Sequence, residues 1–362
     1  MSIRLVMKKK YPAFLWLLAL LTSCAVDLPV PPAAYNTFGL TMESDLENTE
    51  KAKEIEAFYQ QGREGTFTGA DELSIYFKVF RQKNDNSPAI MISSGRTEAA
   101  IKYKELIFDL YKIGYSVYIH DHRGQGLSGR MLEDPDMGYV REFQHYIDDM
   151  HQFYRQEVEP KNHKAVFLIA HSMGGAIGMT YLEQFPDDFQ AASFSSPMLE
   201  LPNGACGGTK LLMGKKIKYA MGQGPYREEP VRFSKNKLTG SELRYNRMNA
   251  AYLAEPRARL GGATYQWVNE SCDQFEYMEE HIGQIETPFI IFSAENEQIV
   301  KEKGHQRFVE LAQEQGKDAR GYLIHDAQHE LLIEKDQQRM QTINQTLWFF
   351  ESILNQKNAS SN

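Results

Sequence analysis

Short runs of hydrophobic residues alternate with longer amphipathic stretches along most of this chain. The apolar runs predict strands at 73–80, 89–92, 116–120, 165–170, 191–194, 288–292 and 321–324. The amphipathic stretches predict helices at 42–60, 98–112, 138–157, 174–184, 301–315 and 335–355. The run at 165–170, AVFLIA, is continuous, as expected of a strand buried on both faces. This alternation predicts an α/β fold, with a mostly parallel sheet covered by helices on both faces.

The alternation stops between about 198 and 286, in a stretch rich in Gly, Tyr, Met and basic residues. Because this stretch lies between two predicted strands, we expect an inserted cap over the carboxyl edge of the sheet. The chain then divides into a core at 57–197 and 287–357, the cap at 198–286, and a tether with an N-terminal helix at 24–56.

The N-terminus has the pattern of an export signal. Residues 1–12 hold four basic residues and no acid, and the apolar run at 13–21 is too short to span a bilayer. The next residues, Leu21-Thr22-Ser23-Cys24, resemble the lipobox of bacterial lipoproteins, in which the Cys is lipidated after residues 1–23 are removed. An ordinary signal peptide with a chance Cys24 is the alternative. The resemblance predicts a lipid-anchored protein of the bacterial cell envelope, on the outer membrane and facing the periplasm.

Composition narrows the function classes. The chain has 362 residues, 42% hydrophobic and 24% charged, which is typical of a globular protein rather than a disordered one. Its net charge of −8 argues against nucleic acid as a partner, because such binding needs a basic excess.

A serine in a sharp turn is the strongest chemical signal. Ser172 follows the strand at 165–170 and precedes a helix, and Ala170 and Gly174 are the small residues at −2 and +2 that a tight turn needs. This context predicts a nucleophile; a plain helix cap is the alternative reading.

A serine nucleophile needs a base and an acid, and in such folds the three residues follow along the chain in the order Ser, acid, His. His329 lies in a loop before the last helix and is the predicted base, with His325 as its competitor. Glu297, after the strand at 288–292, is the predicted acid, with Glu295 as the second choice.

The oxyanion hole requires two backbone N–H groups. The N–H of Met173 follows the nucleophile, and the N–H of Arg96 lies in the loop after the strand at 89–92. A Gly-x-Gly-x-x-Gly match at 124–129 lacks the helix and acid of a dinucleotide site, so we interpret it as a turn beside the active site. The histidine spacings indicate no metal site, and no cofactor is expected.

These motifs together resemble the lysophospholipase and monoacylglycerol lipase branch of the α/β-hydrolases. The resemblance spans roughly residues 57–355 and includes Phe67-Thr68-Gly69, the blocks at 94–98 and 121–126, the serine turn and His329-Glu330-Leu331. It implies Ser172 as nucleophile, His329 as base and Glu297 where many relatives have Asp. The departures are Ala170, Glu297, and Ser94 in place of the common His.

The resemblance implies a serine hydrolase that cleaves the acyl ester of lysophospholipids or monoacylglycerols through an acyl-enzyme. The alternatives are a general carboxylesterase or acyltransferase with the same site, and a non-catalytic lipid-binding lipoprotein on a hydrolase fold.

The predicted cap carries two further features. Residues 205–270 hold 12 Lys or Arg and five Glu, a local charge of +7, which fits a surface turned towards anionic lipid. A solvated basic face is the alternative. Cys206 and Cys272 could form a disulfide, because export would place them in an oxidising compartment; two unpaired thiols are the alternative.

Overall fold

One eight-stranded sheet forms the centre of the structure, a computed structural model that describes residues 35–84, 86–202, 204–207 and 216–360. Its strands lie in the order β1-β2-β4-β3-β5-β6-β7-β8. They are β1 (Arg63–Thr68), β2 (Ser74–Phe80), β3 (Ala89–Ser93), β4 (Ser116–His120), β5 (Val166–His171), β6 (Ala191–Ser195), β7 (Phe289–Ala294) and β8 (Ala319–Ile324). Strand β2 is antiparallel to β1 and β4, and all other neighbours are parallel. The predicted mostly parallel sheet is confirmed.

Helices cover both faces of the sheet. They are α1 (Glu43–Glu47), α2 (Thr49–Gln60), α3 (Lys104–Ile113), α4 (Gln144–Phe153), α5 (Met173–Gln184), α6 (Glu242–Ala254), α7 (Tyr265–His281), α8 (Glu302–Glu314) and α9 (Asp336–Ser360). Alternate side chains of β5 enter different cores: Leu168 packs with residues of α4, α5 and α8, whereas Phe167 packs with residues of α3 and α9. The continuous apolar run of this strand is therefore explained by burial on both faces.

Two elements differ from the sequence-based expectation. Strand β1 was not predicted, because only Phe67 of its six residues is buried and no apolar run marks it. The expected helix at 42–60 is broken at Asn48, whose side chain accepts hydrogen bonds from Glu50 N and Lys51 N and begins α2 as its N-cap.

The leader and Cys24 lie outside the described residues. Within the described part of the chain, every helix is too short or too polar to cross a membrane.

The insertion between β6 and β7 contains α6 and α7, two helices that the sequence pattern did not resolve. Arg244 of α6 is buried and forms ion pairs with Glu105 of α3 and Asp336 of α9. A disulfide joins Cys206 to Cys272 of α7, with 5.5 Å between the Cα atoms. The insertion is thus attached to the core by charge pairs and closed on itself by a covalent bond.

We expect the disulfide to contribute about 2–4 kcal/mol to the free energy of unfolding, since it closes a loop with a sequence separation of 66. Cys206→Ser, Cys272→Ser and the double variant should therefore lose the same amount in denaturant titrations. Reduced wild-type protein is the control and should match them. Thiol titration of the unreduced, denatured wild type should detect Cys24 at most, and two further thiols would contradict the bridge.

Candidate active site

Ser172 occupies a strained turn between β5 and α5. Its backbone has φ 51° and ψ −119°, a conformation that costs a non-glycine residue on the order of 1–3 kcal/mol. Its side chain makes no capping hydrogen bond to α5, so the alternative reading of Ser172 as a plain helix cap does not apply. Its Oγ is therefore free of the helix end and lies near the side chain of His329.

Glycines on the first turn of α5 allow neighbouring loops to approach. A Cβ atom at Gly174 would lie 2.2 Å from the carbonyl oxygen of Ser93, and one at Gly175 would lie 2.5 Å from Pro197. The loops after β3 and β6 therefore contact the serine turn through backbone atoms. Ala170, the departure at −2, is completely buried, so the turn accepts a methyl group there.

His329 and Glu297 complete a hydrogen-bonded series with the serine. His329 Nε2 lies 2.9 Å from Ser172 Oγ, and its Nδ1 lies 2.7 Å from Glu297 Oε2. Burial alone would raise the pKa of the Glu297 carboxyl, but hydrogen bonds from His329 and from the N–H groups of Ile299 and Val300 lower it below its usual value. A carboxylate held ionised beside His329 can stabilise an imidazolium.

The two competing residues lie elsewhere. His325 and Glu295 are exposed and contact each other, with 3.1 Å between Nδ1 and Oε1. Glu295 also accepts a hydrogen bond from Asp326 N. The structure thus brings Ser172, His329 and Glu297 together and leaves Glu295 at the surface.

Two unpaired N–H groups lie beside the serine turn. Met173 begins α5, so its N–H has no partner within the helix. In the loop after β3, Gly95 N donates to Glu98 and Thr97 N donates to Gln125, whereas the N–H of Arg96 between them makes no hydrogen bond to any described residue. These are the two groups that the sequence predicts for the oxyanion hole.

Gln125 is a positioning residue of the loop at 95–98, and its contacts were missed by sequence reasoning. Its amide nitrogen donates to the carbonyl groups of Gly95 and Glu98, and its amide oxygen accepts from Thr97 N at 3.3 Å. The glycine-rich turn at 124–129 therefore supports the oxyanion loop. Its adjacency to the active site was predicted, but nothing in the motif identified the glutamine as the contact.

A buried charge cluster lies directly beneath the site. The ammonium group of Lys102 donates to both Glu98 and Glu330. His171 Nε2 lies 3.1 Å from Glu330 Oε2, and the Nδ1–H of His171 donates to the carbonyl of Ser195. Glu98 holds the oxyanion loop through Gly95 N, and Glu330 adjoins His329, so one lysine connects the two loops.

Charge pairing in this Lys102 cluster outweighs the cost of burial. Burial alone would lower the pKa of Lys102, but Glu330 and Glu98 raise it; burial would raise the pKa of Glu330, but Lys102 and His171 hold it well below its usual range. Glu98, His171 and Glu330 have ligand atoms within 4.8 Å of one another, as in a metal site. The Lys102 ammonium supplies the positive charge among them.

The triad opens into a cavity of about 700 Å³, within the usual range of about 300–1,000 Å³ for small-molecule sites. Most of its lining comes from the insertion and is apolar, including Met198, Leu201, Leu260 and Val268. An apolar wall beside a nucleophile suits a hydrocarbon chain.

Replacing Lys102 with Met should lower the free energy of unfolding by about 3–5 kcal/mol, because it leaves two buried carboxylates without their shared ammonium group. We expect kcat to fall as well, since both loops lose their common contact. Lys104→Met is the matched control: Lys104 bonds the surface residue Glu56, and its loss should cost less than about 1 kcal/mol. Equal stability of the two variants in urea titrations would contradict the role of the cluster.

Comparison with known proteins shows the family of the chain. Residues 84–336 match the family described as serine aminopeptidase, S33. Lysophospholipase L2 of Escherichia coli K12 is 36% identical over 312 residues, covering 81% of this chain and 88% of that protein. Monoglyceride lipase of Rattus norvegicus is 22% identical over 254 residues, covering 70% of this chain and 79% of that protein.

A solved structure supports the fold. A soluble variant of monoglyceride lipase from Saccharomyces cerevisiae, in complex with a substrate analog, superposes with a TM-score of 0.63 at 19% identity, covering 81% of this chain and 94% of that one. The match over residues 84–336, together with 36% identity along most of the chain, shows that the protein belongs to this α/β-hydrolase family, in its lysophospholipase and monoglyceride lipase branch.

Proposed function

We propose that this carboxylic ester hydrolase cleaves the single acyl ester of lysophospholipids or monoacylglycerols through an acyl-enzyme on Ser172. The observation that carries the proposal is the hydrogen-bonded Ser172–His329–Glu297 series at the base of an apolar cavity. The relatives named for these two activities cover most of the chain and support the same substrate classes.

In the first step, His329 Nε2 removes the proton of Ser172 as Oγ attacks the ester carbonyl. The oxygen of the tetrahedral intermediate accepts hydrogen bonds from the N–H groups of Arg96 and Met173. His329 then gives the proton to the glycerol oxygen, which leaves, and the acyl group stays on Ser172. Between these two proton transfers, Glu297 stabilises the imidazolium form of His329.

In the second step, water attacks the acyl-enzyme and the fatty acid is released. His329 takes the proton of the water and returns it to Ser172 Oγ. If an alcohol replaced the water, the same acyl-enzyme would perform acyl transfer. The acceptor alone distinguishes a hydrolase from a transferase here.

We further propose that the insertion faces a membrane. Lys216 and Lys218 are exposed, and the hydrophobic side chains of Ile217 and Met221 are 44% and 86% exposed beside them. Met221 also lines the substrate cavity. Basic and hydrophobic side chains at a cavity mouth suit an anionic lipid surface.

The proposed location is the periplasmic side of the outer membrane, with a lipid anchor on Cys24. Its support is the sequence of the N-terminal 24 residues. Two or more acyl chains hold a protein stably at a bilayer, so the anchor would keep the insertion near its substrates.

Ser172→Ala should lower kcat by on the order of 10⁶, as removal of the nucleophile does in a serine hydrolase of this kind. It should also abolish labelling by a fluorophosphonate probe. Glu297→Gln should cause a smaller loss of kcat, because His329 keeps a hydrogen-bonding neighbour and loses only the negative charge of the carboxylate.

Glu295→Gln is the matched control for the acid, since it changes a surface carboxylate two residues away. We expect its kcat to be near wild type. A larger loss in Glu295→Gln than in Glu297→Gln would overturn the acid assignment. Folded wild-type protein that the probe does not label would favour a non-catalytic lipid-binding role.

A charge-reversed variant, Lys216→Glu/Lys218→Glu, should bind anionic vesicles more weakly, because each basic residue near such a surface contributes about 1 kcal/mol. The comparison is made in a Cys24→Ser background by vesicle sedimentation, so that the anchor does not mask the insertion. Turnover of a soluble short-chain ester should not change. Unchanged vesicle binding would show that these lysines face water.

A further inference from the structure

Arg96 lies in the wall between the reacting centre and solvent. Its backbone N–H is the proposed oxyanion donor, and its side chain lines the cavity that contains Ser172 and His329. The same side chain lines a depression on the outer surface, formed by residues 222–227 and 260–262. A group leaving the serine towards solvent would pass this guanidinium.

The guanidinium of Arg96 has no carboxylate partner in the described part of the chain. Its Nη1 donates to the carbonyl of Gly261 at 3.1 Å, and its Cζ lies 5.3 Å from the ring centre of Trp267. By contrast, each of the buried arginines of the core and of α6 bonds a carboxylate: Arg123 bonds Asp149, Arg244 bonds Glu105, and Arg339 bonds Asp109. Arg96 therefore retains donors for a ligand.

Other charges around the cavity are already neutralised. Glu98 and Glu330 both bind Lys102, and Arg259 forms an ion pair with Glu228. Burial lowers the pKa of Arg96 to about 10, which still leaves it charged at neutral pH. Among the described lining residues, Arg96 is thus the cation that has no opposite charge beside it.

We propose that the Arg96 side chain binds the phosphate of a lysophospholipid while the backbone of the same residue stabilises the oxyanion. Guanidinium groups bind phosphate oxygens through paired, charge-assisted hydrogen bonds. The phosphate belongs to the glycerol leaving group, which lies on the solvent side of the ester. Arg96 then makes the enzyme select lysophospholipids over uncharged monoacylglycerols. This inference rests on the proposed function.

The test compares a lysophospholipid and a monoacylglycerol that carry the same acyl chain. Arg96→Met keeps the backbone N–H, so any disturbance of the oxyanion loop should affect both substrates alike. The ratio of kcat/KM for the lysophospholipid to that for the monoacylglycerol should fall about 10- to 100-fold, as expected for the loss of hydrogen bonds to a charged group. Arg96→Lys keeps the positive charge but cannot form the paired hydrogen bonds, so its preference for the lysophospholipid should lie between those of wild type and Arg96→Met.

Arg257→Met is the matched control. Arg257 lies on the exposed surface of the same insertion, pairs with Glu255 and does not line the cavity. The variant Arg257→Met removes one positive charge outside the cavity. Its ratio of kcat/KM for the two substrates should therefore equal that of wild type. If Arg257→Met changed the ratio as much as Arg96→Met, selection would come from long-range charge, and the proposal would fail.

Equal losses of Arg96→Met on both substrates would also overturn it, since the side chain would then only position the oxyanion loop. Wild-type protein that cleaves neither substrate would instead refute the proposed function. If Arg96→Met does not fold, an inhibition measurement on wild-type protein still tests the proposal. A non-hydrolysable ether lysophospholipid should inhibit at least tenfold more strongly than the matching alkylglycerol, as expected for one charge-assisted contact. Equal inhibition would reject phosphate binding.

Discussion

The close approach of backbone segments at the Ser172 turn is the constraint on which the site depends. Gly174 lies against the carbonyl of Ser93, so the start of α5 and the end of β3 are adjacent. On the other side, Ser172 N donates to Ser195 O, and Met198 N donates to Ser172 O. The nucleophile is therefore fixed between two loops, and one of them carries the Arg96 N–H. A Cβ at Gly174 would push the Ser172 turn away from the loop that carries the predicted oxyanion donor.

The Lys102 cluster solves the complementary problem of holding the base. His329 lies in a loop after β8, far along the chain from the oxyanion loop after β3. Lys102 joins the two through Glu98 and Glu330, and His171 Nε2 lies 3.1 Å from Glu330 Oε2, next to the nucleophile. The Lys102 ammonium thus compensates the burial of the two carboxylates while it links the two loops.

Structural features that a single segment encodes could be predicted from the sequence, whereas side-chain contacts between separate segments could not. The run at 165–170 and the small residues around Ser172 indicated the strand and the turn directly, and chain order indicated the base and the acid. The roles of Lys102 and Gln125 depend on side chains from separate loops meeting in space, and their local sequence carries no sign of it. Strand β1 was missed because its exposed residues are mostly polar. Helices α6 and α7 were missed because their buried faces mix polar and apolar residues.

Glu297 shows how a longer acid can serve in place of the more common Asp. Its Oε1 accepts hydrogen bonds from the N–H groups of Ile299 and Val300, while its Oε2 faces His329. The extra methylene group thus lets one carboxylate both close its own loop and orient the base. The loop bonds limit the conformations of a side chain that would otherwise lose more entropy than Asp when it is ordered. The backbone of the same loop therefore holds the Glu297 carboxylate within hydrogen-bonding distance of His329.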